Sequence, residues 1–180
     1  MLAAACAEPT SAPVSSNGAP AYSVAPSNQS ATPLDLAVIG DVPYGDEARA
    51  SFPSFVDAIN RDPKVREVVH VGDFKSGSDV CSDDLFTYVA TQFTRFADPL
   101  VYAIGDNEWT DCHRANNGGY YPLERLAKVR QLFFPVPGRT LGGRNMGVEA
   151  QADYPENQLW VESRVTFAVL HHRIEQRRLR

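Results

Sequence analysis

The sequence predicts a mixed α/β domain, a layered sheet with flanking helices, on three grounds. Short apolar runs at 36–40, 68–72 and 101–105 each end in Gly-Asp, which puts Asp41, Asp73 and Asp106 directly after candidate buried strands. Between these runs, apolar residues recur at helical spacing, so strands and helices alternate in β-α-β-α-β order. That order favours right-handed crossovers and a mostly parallel sheet, and an open α/β sheet binds ligands at the carboxyl ends of its strands.

Taken in order, residues 1–33 are rich in Ala, Pro, Ser, Thr and Asn and almost uncharged. Such a segment buries too little apolar surface to offset its ordering entropy, and it reads as a disordered leader. Its start, Met1 to Cys6, resembles the end of a bacterial lipoprotein signal in which Cys6 would be lipidated. Residues 34–40 form the first strand, with the loop Asp41 to Tyr44 beyond it. Phe52, Phe55, Val56 and Ile59 then share a helical face, with Ser51 as the expected cap and Pro53 in the first turn. Asp62-Pro63 ends that helix, because a residue before proline is driven out of the helical region.

The second strand is expected at 67–71, followed by a glycine-punctuated loop at 72–77. Ser82 with Asp83 and Asp84 marks the next helix start, and Leu85, Val89, Phe93 and Phe96 are its expected buried face. Asp98-Pro99 stops it before a third strand at 100–104. A third helix is expected at 122–134, where Leu126, Val129 and Phe133 share a face ahead of Pro135 and Pro137. Residues 140–147 read as a loop without the lysine-bearing spacing of a P-loop. Two strands at 158–162 and 165–170 meet tightly at Ser163-Arg164, and residues 171–180 form a basic tail.

Composition narrows the function. At 180 residues the chain suits one domain with a single core, and its 43% hydrophobic and 22% charged residues are ordinary globular values. A net charge of -5 and a pI near 5.3 argue against nucleic acid as the main partner. No apolar run is long enough to cross a bilayer, so no transmembrane segment is expected. Cys81 and Cys112 each follow an acidic strand tip, and a disulfide between them would tie two site loops together. By loop-closure entropy it would contribute about 3 to 4 kcal/mol. With the leader, this points to a secreted, periplasmic or lipid-anchored protein.

Asp41, Asp73, Asp106, Asn107 and Glu108 make a hard oxygen-donor set suited to Mg, Mn, Ca, Zn or Fe. An aspartate at a strand end commonly caps the next loop, but three Gly-Asp tips on successive strands favour a shared crevice. His113, just past the third block, is a candidate for donating a proton to a leaving oxygen or meeting phosphate. His171 ends a strand and is a candidate ligand, whereas His70 reads as a satisfied sheet residue and His172 as tail. Lys75, Arg114 and Arg144 are the candidates for neutralising substrate charge.

In these blocks, over residues 34–170, the chain resembles the calcineurin-like metallophosphoesterases. That family carries Asp-x-His, Gly-Asp-x-x-Asp and Gly-Asn-His-Asp/Glu at strand ends, then a lone His and a Gly-His-x-His block. The counterparts here are Asp41-Val-Pro43, Gly72-Asp73-Phe-Lys-Ser76 and Gly105-Asp106-Asn107-Glu108. The resemblance implies a metallophosphoesterase-like layered sheet and a centre of two divalent ions, Mn, Fe, Zn or Mg. Asp73 would bridge the ions, with Asp41 on one and Asp106 or Asn107 on the other. Two ions so placed hold a hydroxide for in-line attack on a phosphomonoester or phosphodiester substrate. Asn107 then either stands in for the family's catalytic His or is itself a ligand with Glu108 as its neighbour.

The chain also departs from the family. Pro43 stands where a metal-binding His is usual, Ser76 closes the second block, and the late histidine blocks are missing. The expectation is a metal-dependent phosphoesterase truncated on its C-terminal side. Its rival is a non-catalytic pseudoenzyme domain that keeps the scaffold with too few ligands to activate water.

Overall fold

The computed structural model describes residues 33–171; the expected leader with Cys6, and the tail from His172 onward, lie outside the described residues. Three parallel strands, β1 (Asp35–Ile39), β2 (Val65–His70) and β3 (Leu100–Tyr102), form a sheet in the order β1-β2-β3. Helix α1 (Gly45–Asn60) connects β1 to β2, α2 (Asp83–Phe93) connects β2 to β3, and α3 (Pro122–Phe133) follows. All three helices share one core with Val68, Leu100 and Tyr102 of the sheet. The α/β class and the parallel strand order are those that the sequence predicts.

Helix α1 differs from expectation at its start. It opens at Gly45, well before Ser51, whose hydroxyl bonds back to the Ala48 carbonyl within the helix. Pro53 therefore lies inside the helix, where it has no N–H for the Arg49 carbonyl one turn earlier. Tyr88 of α2 supplies that missing donor, its hydroxyl meeting the Arg49 oxygen at 2.5 Å. The helix survives its proline because a neighbouring element repairs the gap.

Helix α2 starts where its cap predicts: the Ser82 side chain accepts from the Leu85 N–H at 3.2 Å. Its buried face is Phe86, Val89 and Phe93 rather than Leu85, and Phe96 packs from just beyond the helix. Phe93 is the hub of an aromatic cluster, with its ring against Phe52, His70, Phe96, Tyr102 and Phe133. Each such pair adds about 0.5 to 1.5 kcal/mol beyond the area it buries.

A second, antiparallel sheet joins β4 (Glu149–Gln151), β5 (Tyr154–Glu162) and β6 (Val165–Val169). It packs on the other face of the parallel sheet, where Trp160 and Val169 meet Val101, Val69 and Ala103. The β5–β6 turn falls at Ser163 and Arg164, both in the left-handed region with φ of 49° and 64°, as a two-residue hairpin requires. Strand β4 has no counterpart in the sequence reading, and β5 begins before residue 158. Its inward positions there include Glu156, a buried acid held by Arg130 and His171 and hidden from any apolar pattern. Among the described residues, no helix is long and apolar enough to cross a membrane.

Candidate functional site

The carboxyl edge of the parallel sheet is built from glycine-acid corners. Asp41 and Asp73 both adopt left-handed backbone, with φ of 58° and 56°, so the chain turns sharply at each acid. The Asp41 N–H reaches the Gly72 carbonyl at 3.1 Å, joining the first corner to the second. A Cβ on Gly72 would lie 2.8 Å from the Gly105 nitrogen, and one on Gly105 would lie 2.0 Å from Asp73 Oδ1. The second and third tips thus touch backbone to backbone.

These corners bring three of the expected residues around a phenol. The Tyr44 hydroxyl donates to Asp41 Oδ1 at 2.8 Å and accepts from Asn107 Nδ2 at 3.5 Å. The Asn107 N–H donates to Asp73 Oδ1 at 3.3 Å. Burial, the bond to Asp41 and the charges of Asp73 and Asp41 hold the Tyr44 hydroxyl well above the usual phenol range. Burial likewise raises the Asp73 carboxyl, and the negative charges of Asp106 and Asp41 add to that against the opposing Asn107 N–H. Tyr44 is a functional candidate that no sequence motif marks; only its place in the loop after Asp41 hints at it.

Glu108 stands beneath this group rather than among the exposed ligands expected for it. It is fully buried, and its Oε1 accepts from the Phe74 N–H at 2.8 Å and the Tyr102 hydroxyl at 3.0 Å. Burial pushes its carboxyl up to about 8, and the nearby charge of Asp73 adds to that; its Oε2 is buried without a hydrogen-bond partner. The buried acid thus ties the Phe74 backbone, next to Asp73, to Tyr102 of β3.

Asp106 and Asn107 part company. The exposed Asp106 borders a cavity of about 430 Å³ shared with His113, Arg114, Trp109 and His171. Asn107 is the one that reaches Asp73, through its N–H, and Tyr44, through its side-chain amide. His113 holds Nδ1 at 2.6 Å from the Thr110 carbonyl, and Arg114 pairs with Asp111 at 2.6 Å. His171 sets Nδ1 3.1 Å from Glu156 Oε1, with its ring edge-on to Trp109. Both histidines and Arg114 therefore line a chamber beside the acidic group.

Two of the expected substrate-neutralising residues are elsewhere. Lys75 is fully buried, and its ammonium donates to the Ser76 carbonyl at 2.8 Å, the Asn107 carbonyl at 2.9 Å and Asn117 Oδ1 at 3.0 Å. Those bonds use all three of its hydrogens and leave none for a substrate. Arg144 pairs with Asp98 just ahead of β3, at the opposite edge of the sheet. A cation at the amino edge is out of reach of a site at the carboxyl edge.

His70 is satisfied within the sheet, as expected. Its Nδ1 accepts from the Gly72 N–H at 3.2 Å and its Nε2 meets the Val42 carbonyl at 3.0 Å, which fixes the Nε2–H tautomer. Burial lowers it to about 4, so it is neutral at physiological pH. Cys81 and Cys112 form a disulfide with Cα atoms 5.7 Å apart, tying the loop after β2 to the loop after β3.

What the group could hold follows from its donors. Asp41, Asp73, the Asn107 amide and the Tyr44 phenol are hard oxygen ligands, and the crowded carboxylates are what a divalent cation would relieve. No imidazole joins them, and among the described residues no three His, Cys, Asp or Glu side chains stand together as a ready metal site. Comparison with models of known families, with curated proteins and with solved structures finds no match.

Proposed function

We propose that the chain is a metal-dependent phosphoesterase acting on phosphomonoesters or phosphodiesters, in keeping with its resemblance to the calcineurin-like metallophosphoesterases. The observation that supports this best is the meeting of Asp41, Asp73 and Asn107 around Tyr44 at the carboxyl edge of a parallel sheet. In this reading Asp41, Asp73 and Asn107 are the residues that would hold two divalent ions. When bound, such ions polarise the phosphoryl oxygens and activate water. The chain's own part is to fix the donors: Asn107 orients Asp73 through its N–H, and Tyr44 orients Asp41 through its hydroxyl. His113 and Arg114, which line the adjoining cavity with Asp106, would be the residues to meet a leaving group. The disulfide suits a secreted or envelope-associated protein.

A second reading, a non-catalytic domain that keeps the scaffold, is favoured by the absence of a ready three-residue ligand cluster among the described residues. Turnover separates the two. Purified protein with added Mn, Fe, Zn or Mg should release the chromophore from a chromogenic phosphodiester or phosphomonoester, and Asp73→Asn should lower that rate by about 100-fold or more. Absence of turnover with every metal would establish the non-catalytic reading.

A further inference from the structure

We propose that Lys75 is a positioning residue for the strand-tip site, its buried ammonium fixing the orientation of the Asn107 peptide. The inference rests on the metal-site reading above, and it concerns how that site is held in shape.

Lys75 sits two residues after Asp73, in the same loop. Its ammonium points inward and binds three oxygens from three separate segments: the Ser76 carbonyl in its own loop, the Asn107 carbonyl in the loop after β3, and the Asn117 side chain farther on. Asn117 is itself fully buried and spends its Nδ2 on the Gly77 carbonyl at 2.9 Å, so the third acceptor is also locked in place. The disulfide sulfurs of Cys81 and Cys112 each lie 3.7 Å from the same Asn107 carbonyl oxygen and close off the remaining space around it.

The Asn107 carbonyl and N–H lie in consecutive planar peptide groups joined at its Cα, so holding the carbonyl fixes one of the two dihedrals between them and restrains how the N–H is presented. Holding the Asn107 carbonyl inward on Lys75 leaves the other side of that residue for the site. There its N–H meets Asp73 and its side-chain amide meets Tyr44. Burying an ammonium against neutral carbonyls is costly, and packing alone would be met more cheaply by an apolar side chain of similar length. The charge is retained where it draws three loop segments onto a single point.

The test compares Lys75→Met, which keeps length and loses the ammonium, with the full wild-type chain. The first readout is amide hydrogen exchange at Asn107. Loss of the carbonyl anchor should speed exchange at that N–H by about tenfold or more while β1 to β3 stay protected. The second is Mn affinity by titration, which should weaken by about 10- to 100-fold. Alkylating Lys75→Cys with bromoethylamine in the denatured, disulfide-intact chain and refolding it rebuilds an ammonium of nearly the same reach and should restore both, an outcome that a purely space-filling role would not give. A folded Lys75→Met whose Asn107 exchange matches wild type would overturn the proposal. If wild type binds no Mn, the metal reading fails and the exchange result alone decides the role of Lys75. Should Lys75→Met not fold, Asn117→Ser, which withdraws one acceptor, takes its place, and unchanged exchange at Asn107 would then count against the proposal.

Discussion

The two edges of the parallel sheet treat charge in opposite ways. At the amino edge charges meet opposites, Asp98 with Arg144 and Arg95 with Asp57 at 3.0 Å, while the buried Glu67, raised to about 7 by burial and by Glu162, departs from this. The Asn60 side chain closes the same edge, donating to the Arg95 carbonyl and accepting from the Ala97 N–H. At the carboxyl edge Asp41, Asp73 and Asp106 crowd above a buried Glu108, and the nearby ammonium of Lys75 is spent on carbonyl oxygens. There a disulfide and the bonds of Lys75 cross-link the loops that carry these acids. Like charges held together at one edge are what the proposed divalent cations would relieve.

The largest expected effect tests those cross-links. Replacing both Cys81→Ser and Cys112→Ser should lower stability by about 3 to 4 kcal/mol, read as a shift in denaturant midpoint. A loss under about 1 kcal/mol would mean that the loops hold themselves and the contrast between the edges is weaker than described.

Acid should strike the carboxyl edge next, through His70. Its folded value of about 4 lies below the ordinary 6.5, so the fold favours the neutral ring. That preference is fully present above 6.5 and is lost as pH falls towards 4, because the unfolded chain takes up the proton first. Over that window stability should fall by about 3 kcal/mol, and His70→Leu should flatten the profile.

Neutralising one acid should have opposite signs at the two edges. Asp73→Asn removes a repelled charge and should stabilise the metal-free protein by about 1 kcal/mol while abolishing the proposed turnover. Asp98→Asn weakens the pair with Arg144 and should destabilise by about 1 kcal/mol. Thermal melts of the two variants should move in opposite directions; movement the same way would break the comparison.

The smallest effect belongs to the amino edge's exposed pair. Arg95→Ala should change stability by no more than about 0.5 kcal/mol and leave phosphoester turnover untouched. A larger loss would show that surface charges at that edge contribute more than their exposure suggests.

Local signals in the sequence translate well into this fold. Ser82 followed by two acids locates α2, Pro135 follows closely on α3, and the apolar runs before each Gly-Asp locate β1 to β3. The start of α1 is hidden because Pro53 suggests a first turn, while the hydroxyl that lets the helix run through it comes from Tyr88. Of the site, the sequence shows only the Gly-Asp corners; the contacts that link Asp41 to Tyr44, Tyr44 to Asn107 and Asn107 to Asp73 come from the way the loops fold over one another. Tyr44, Glu108, Lys75 and Asn117 take roles set by burial and by partners far along the chain, which no local pattern encodes. Lys75 misleads most, since a lysine after an aspartate reads as a solvent-facing cation until its surroundings are known. Arg144 misleads for a different reason: a glycine-rich loop resembles an anion cradle wherever the fold happens to put it.

The glycines ahead of the acids bear on how mutational surveys of this protein would be interpreted. Gly72 and Gly105 have neighbouring main-chain atoms where a side chain would begin, so even alanine at either would push the strand tips apart. A deep mutational scan would therefore score both as intolerant even in a host that never required the chemistry. Only the acids beside them, whose side chains can be exchanged for amides of the same shape, would separate a demand for activity from a demand for folding.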